Sequence, residues 1–196
     1  MTERMPSRRQ LLFFGALVAS GFAAGDAFGE GELAPTPECR DGDEPTPRLT
    51  EGPFYKPRSP RRSDLTLGVK GRVIELAGLV LTRRCNPVAR AIVDLWHADD
   101  KGEYDHRGFR LRGHQLTDAG GRYRFRTVVP AVYTGRTRHF HVKVAAPERP
   151  VLTTQLYFPD EPGNAQDFLF RRELLMRVSE AGDGLAARFD FVVDMS

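Results

Sequence analysis

Apolar and polar residues alternate in short runs through the second part of the chain. The runs "GRVIELAGLVL" (71–81), "ARAIVDLWHA" (89–98), "GRYRFRTVV" (121–129), "RHFHVKVAA" (138–146), "VLTTQLYF" (151–158) and "ARFDFVVDM" (187–195) are rich in β-branched and aromatic residues, several with clean alternation. A period of two sends successive side chains to opposite faces, so each run reads as a strand with one face turned to a core. Gly, Pro and Asp between the runs mark turns, and the spacing of the strands predicts an all-β sandwich of short, mostly antiparallel strands. "TDAGGRYRF" sets Asp118 and a glycine pair before alternating Tyr123 and Phe125, which predicts a hairpin entry. One stretch reads differently: "NAQDFLFRRELLMRV" (164–178) predicts one short helix, capped by Asn164 or Asp167.

Upstream the pattern stops. Residues 31–70 are rich in proline and charge and hold no sustained period, which predicts an extended N-terminal arm wrapping a core without forming one. In residues 1–30, Arg8 and Arg9 directly precede the apolar run "QLLFFGALVASGFAAG", the layout of a twin-arginine signal peptide. That run is too short and too rich in Gly and Ala for a comfortable membrane span. The expectation is export by the twin-arginine machinery to the periplasm or the extracellular space. That route carries folded proteins and suits one that acquires its cofactor first. The remaining 71–196 form the core domain.

Charge changes little in this picture. The 29 basic and 26 acidic residues leave a net charge of +3, and they intermingle without a basic stripe, which sets nucleic acid aside as a partner. Two cysteines, Cys39 and Cys85, form an even count in a chain expected to be exported. A disulfide between them would staple the arm to the turn after the first core strand; two unrelated thiols are the alternative.

The candidate chemistry starts at "RTRHFHVKV" (136–144), where His139 and His141 stand two apart on a strand. Both imidazoles then point the same way and could share one ion, or they could simply make the polar face of a sheet. Of the five tyrosines, Tyr123 and Tyr157 lie within strands and read as packing, whereas Tyr104 and Tyr133 follow strand ends in turn-like settings. Side chains there are free to gather at one rim of a sandwich. Two phenolates and two imidazoles together suit trivalent iron better than zinc or copper. A phenol ionises at neutral pH when such a cation lies against it.

Longer motifs sharpen this reading. "LAGLVLTRRCNPVARAIVDLWHADDKGEY" (76–104) closely resembles the characteristic segment of the intradiol ring-cleavage dioxygenases, the family of catechol and protocatechuate dioxygenases. The resemblance continues through "TEGPFY" (50–55), "GRYRFRTVVPAVYTGRTRHFH" (121–141) and "TTQLYF" (153–158). It implies that 71–196 is a catalytic β-sandwich domain holding Fe(3+) through Tyr104, Tyr133, His139 and His141. It further implies that Arg136 stabilises charge on the substrate ring, that Gln155 lies beside substrate and dioxygen, and that Gly52, Pro53 and Tyr55 form part of the pocket wall. The implied reaction cleaves a catecholic ring with O2 between its two hydroxylated carbons, giving a cis,cis-muconate-type diacid, with Tyr133 taking up a substrate proton. Cys85 stands where the soluble catabolic enzymes usually have Gly or Ser, a pattern of the exported branch that supports a link to Cys39. The interval from Tyr133 to His139 is shorter than in those enzymes, so the pocket loop is trimmed. His97, His106 and His114 match no ligand position; they read as structural or exposed, with His97, beside the sole Trp96, expected to be partly buried. The resemblance leaves a homo-oligomer open.

Two other readings stand beside this one. A transthyretin-like exported binding module would share the rhythm of Gly turns and apolar strands without catalysis. A copper or zinc site could use the histidine pair with one further ligand.

Overall fold

The computed structural model describes Cys39 and residues 44–133 and 135–195. The expected leader at 1–30 and the start of the arm lie outside the described residues. Among the described residues no helix is long and apolar enough to cross a membrane. The strands, in chain order, are β1 (Val73–Thr82), β2 (Ile92–Trp96), β3 (Arg112–Leu116), β4 (Arg122–Val128), β5 (His139–Ala145), β6 (Leu152–Tyr157), β7 (Arg177–Ala181), β8 (Gly184–Arg188) and β9 (Phe191–Val193). They build the expected all-β sandwich of two sheets. One runs β4-β1-β8-β7, with β9 also pairing β1; the other runs β3-β2-β5-β6. Pairing is antiparallel except where β8 and β9 run parallel to β1.

The alternation seen in the sequence becomes the core. Ile74, Leu76 and Val80 of β1 and Tyr123 and Phe125 of β4 are buried against Val93, Leu95, Phe140, Val142, Val144 and Leu156 of the other sheet. At roughly 1.5–3 kcal/mol for each large apolar side chain removed from water, this interior is the main source of cohesion. β8 and β9 form one line along β1, interrupted at Phe189–Asp190. Gly78 makes that interruption fit, because a Cβ there would lie 1.8 Å from the Phe189 carbonyl oxygen, and the Leu79 N–H donates to Asp190 Oδ1 at 2.8 Å.

Three local expectations are corrected. No α-helix covers 164–178: two short 3-10 helices, Pro162–Gln166 and Arg172–Leu174, are followed by the edge strand β7. Asp167 does not cap the start of a helix; it follows the end of the first 3-10 helix with extended backbone, and its carboxylate accepts from the N–H groups of Leu169 and Thr137 and from Arg136. The turn after Thr117 forms, with Asp118 Oδ1 accepting from Gly120 and Arg122, but it does not close a hairpin. Thr117 hydrogen-bonds Ala91 beside β2, whereas the Gly121 carbonyl accepts from Val80 of β1, so the turn carries the chain from one sheet to the other. β3 and β7 escape the pattern because "RGHQL" offers little apolar alternation and "RVSEA" is largely exposed.

The described part of the arm lies along both sheets. It carries no strand of its own, yet its N–H groups donate to both sheets: Thr46 to Val192, Leu49 to Thr153, Arg62 to His114 and Leu65 to Arg126. Cys39 and Cys85 are joined as a disulfide with Cα atoms 5.6 Å apart, tying the arm to the turn after β1.

Candidate active site

Cross-strand register decides which side chains meet. In the second sheet Arg112, Trp96, His141 and Gln155 face one another in a row, and His114, Asp94, Lys143 and Thr153 form the next. Because β5 alternates, His139, His141 and Lys143 share this outer face while Phe140, Val142 and Val144 fill the core. An outer face is normally solvated, but residues 50–59 of the arm cover this one. Gln155 Nε2 donates to the Thr50 carbonyl at 3.0 Å, and Ser59 Oγ donates to Asp94 Oδ1 at 2.7 Å. Gly52 lies directly on His141. Its φ is +69°, and a Cβ there would come within 3.2 Å of His141 Cε1, so this approach requires glycine.

Three donor atoms converge beneath that cover. The Nε2 atoms of His139 and His141 are 3.1 Å apart, and His141 Nε2 is 3.1 Å from the Tyr104 hydroxyl. Tyr104 arrives from the loop after β2, and the ring of Tyr133 stands perpendicular to it with centroids 5.9 Å apart. Phe54 of the arm stacks on Tyr104 at 4.4 Å and meets Tyr133 edge-on at 5.3 Å; Trp96 stacks on His141 at 5.0 Å. A cavity of about 320 Å³ opens beside these rings, lined by Phe54, Gly102, Glu103, Tyr104, His106 and Tyr133.

This cluster is electrostatically unsatisfied. Burial pulls His139 down to about 4, against the favourable hydrogen bond from its Nδ1–H to the Thr137 carbonyl at 2.6 Å. Burial and the neighbouring His139 push His141 well below the usual imidazole range. Burial raises the Tyr104 phenol, with Arg136 and Arg112 only partly opposing it. Two neutral imidazoles thus turn their Nε2 atoms on each other, and His141 Nδ1 is buried without a partner. A cation at the convergence point would take up the lone pairs of both Nε2 atoms, with the proton of each ring on Nδ1. Donors about 3 Å apart match the edge of a coordination polyhedron with bonds of about 2.1 Å. Among the described residues no group of three or more His, Cys, Asp or Glu could hold a metal, so the donor set rests on phenol oxygen with imidazole. Hard oxygen and borderline nitrogen fit ferric iron.

Beside the donors lies a second cluster. The Arg136 N–H donates to the Tyr133 carbonyl at 2.7 Å, closing a tight turn. Arg136 Nη2 donates to Gln155 Oε1 at 2.6 Å and reaches the Tyr157 hydroxyl at 3.3 Å, while Tyr157 donates to Gln155 Oε1 at 2.9 Å. Arg136 Nε donates to both oxygens of Asp167, at 3.0 and 2.9 Å.

A family model described as Dioxygenase (Dioxygenase_C) matches residues 50–195, well over half of the chain. This chain belongs to the intradiol ring-cleavage dioxygenase family. Catechol 1,2-dioxygenase 2 of Acinetobacter lwoffii is 34% identical over 152 residues, covering 64% of this chain and 55% of that protein. The protocatechuate 3,4-dioxygenase beta chain of Burkholderia cepacia is 32% identical over 152 residues, covering 63% and 65%. Among solved structures, the dioxygenase domain of a dioxygenase carbohydrate-binding protein fusion from Streptomyces sp. SirexAA-E is 51% identical, with a TM-score of 0.76. It covers 78% of this chain and 100% of that one. The chain spans about half the length of the curated catechol dioxygenases it matches.

Within this intradiol dioxygenase family member, Tyr104, His139 and His141 meet directly, and Tyr133, Arg136 and Gln155 stand around them. Gly52 touches His141, Pro53 is exposed, and Tyr55 packs on Trp96 at 4.8 Å with Lys143 Nζ 4.5 Å above its ring. It is Phe54 that faces both tyrosines. His97 is buried between Ala98 O and Thr127 Oγ1, and Tyr123 packs with its hydroxyl on Phe189 O. Three residues at the site go beyond the sequence reading. Phe54 lies inside "TEGPFY" and is legible there; Tyr157 packs in the core as its place in a strand predicts, and its hydroxyl also meets Gln155 and Arg136; Asp167 lies in a stretch that reads as a helix.

Proposed function

We propose that this protein is a non-haem Fe(III) dioxygenase. It cleaves a catechol or protocatechuate-type ring between its hydroxylated carbons with O2, yielding a cis,cis-muconate-type diacid. The observation that carries this reading is the buried convergence of Tyr104, His139 and His141 at 3.1 Å spacings beside Tyr133, with Arg136 and Gln155 adjoining. Tyr104, Tyr133, His139 and His141 would hold the iron, which when bound supplies Lewis-acid chemistry toward the two catechol oxygens.

The protein's own groups do the rest. The Thr137 carbonyl keeps the His139 proton on Nδ1 and leaves Nε2 as a donor. Phe54 and Trp96 wall the donors with aromatic surface and limit water. Tyr133 is half-buried where Tyr104 is buried, which suits Tyr133 to take up a proton from the substrate. Arg136 carries a fixed positive charge beside the donors and stabilises negative charge developing on the ring. Arg138 pairs with Glu161 and Arg110 with Asp99. Export through the twin-arginine route, to the periplasm or beyond, belongs to the same proposal.

The test is turnover of catechol under labelled dioxygen by the iron-loaded protein. A ring-opened diacid carrying both oxygen atoms from one O2 is expected. Binding of catechol without product or oxygen uptake would instead make the sandwich a binding module.

A further inference from the structure

We infer that Asp167 is the positioning residue of the site: one buried carboxylate sets both the Arg136 guanidinium and the strand entry that orients His139. The inference rests on the function proposed above. The Asp167 side chain is fully buried, at 0% exposure, and that of Arg136 is 13% exposed. A carboxylate buried this deeply requires paired charge and hydrogen bonds, and Asp167 has both. Its two oxygens receive Arg136 Nε at 3.0 and 2.9 Å, the Thr137 N–H at 3.0 Å and the Leu169 N–H at 2.9 Å.

Each contact has a consequence in the site. Gripping Arg136 at Nε leaves Nη2 directed at Gln155 and Tyr157, so the orientation of the guanidinium is set from behind. Holding the Thr137 N–H fixes the residue whose carbonyl receives the His139 Nδ1 proton. The 3-10 turn of Pro162–Gln166 completes the clasp. Asn164 accepts from Thr137 Oγ1 at 2.9 Å and donates to the Phe158 carbonyl at 2.9 Å, and a Cβ on Gly163 would press within 3.2 Å of Thr137 Oγ1. Asp167 does not line the cavity; its contacts reach the site through Arg136 and Thr137.

The experiment compares iron-loaded wild type, Asp167→Asn, Arg136→Gln and the double variant. Five quantities are measured: kcat, KM, iron per chain, melting temperature and anaerobic affinity for a catechol that does not turn over. Asp167→Asn keeps size and turn-forming capacity and removes the charge. It is expected to lower kcat by about 10- to 100-fold while KM and anaerobic affinity stay within about 3-fold and iron content holds. The double variant is expected to lose less than the product of the two single losses, because the share of the Asp167 effect that passes through Arg136 is already gone while the share that passes through Thr137 remains. A merely structural role would move melting temperature and iron retention together with rate. Should Asp167→Asn not fold, Asp167→Glu keeps the charge one methylene further out and is expected to show the same kcat loss to a smaller degree. An active wild type with an unimpaired Asp167→Asn, or losses in the double variant that simply multiply, overturns the role of Asp167 alone. A wild type that cleaves no catechol overturns the proposed function itself.

Discussion

The two sheets carry the same alternating pattern to opposite ends. On the outward face of the first sheet Glu75 pairs with Arg124 at 2.6 Å and Arg126 at 3.5 Å, and Arg72 pairs with Glu180, all in contact with water. On the outward face of the second, Asp94, Trp96, His139, His141, Gln155 and Arg112 are all buried. The difference is the arm, which lays Thr50 to Ser59 over the second face. Polar groups removed from water cost about 1–3 kcal/mol each when unpartnered, and Trp96 Nε1, Arg112 Nε and Nη1, and His141 Nδ1 are such groups. One sheet therefore leaves its outward polar residues in water and the other holds them dry.

Substitutions in the two sheets should separate cleanly. The largest effect is expected from His141→Ala, which removes a donor from the covered face. Turnover of catechol should fall by about 1000-fold or more with loss of bound iron, read by steady-state kinetics and metal analysis. Phe125→Ala on the core face of the first sheet should do the reverse. It should cost about 3–5 kcal/mol in denaturant unfolding while kcat of the folded protein is preserved.

His97 sharpens the comparison because it joins the sheets, with Nε2 2.7 Å from Thr127 Oγ1 of β4. Burial holds it down to about 4. A depressed imidazole means the unfolded chain takes up the proton first. Its contribution, on the order of 3 kcal/mol, is therefore complete above about pH 6.5 and is lost as pH falls toward 4. Unfolding measured across that window should show the slope, and His97→Gln should flatten part of it. The smallest effect belongs to Glu75→Gln, whose exposed pairs contribute less than about 1 kcal/mol, with no change in kcat.

Much of this was legible in the sequence, for reasons the sheets make plain. Period-two runs such as "IELAGLVL" and "RYRFRTV" are one-sided strands, and burial follows their alternation. "HFHVKV" keeps the same period, which is why His139 and His141 could be assigned to one face but not to a buried one; Gln155 on "TTQLY" is singled out only by the family resemblance. What covers that face is a contact between distant segments, and no local pattern reports it. Asp167 fails for the same reason: next to "FLFRREL" it resembles a cap, but pairing with Arg136, thirty-one residues earlier, draws it into an extended turn. The edge strands β3 and β7 bury too little to leave a pattern.

The most direct test of the buried polar face as a ferric site is the visible spectrum of the iron-loaded protein, recorded with its iron content for wild type and Tyr104→Phe. The account predicts about one iron per chain and a phenolate-to-iron absorption band that shifts when catechol is added without oxygen and is lost or displaced in Tyr104→Phe. A wild-type protein that stays colourless and retains no ferric iron would contradict it.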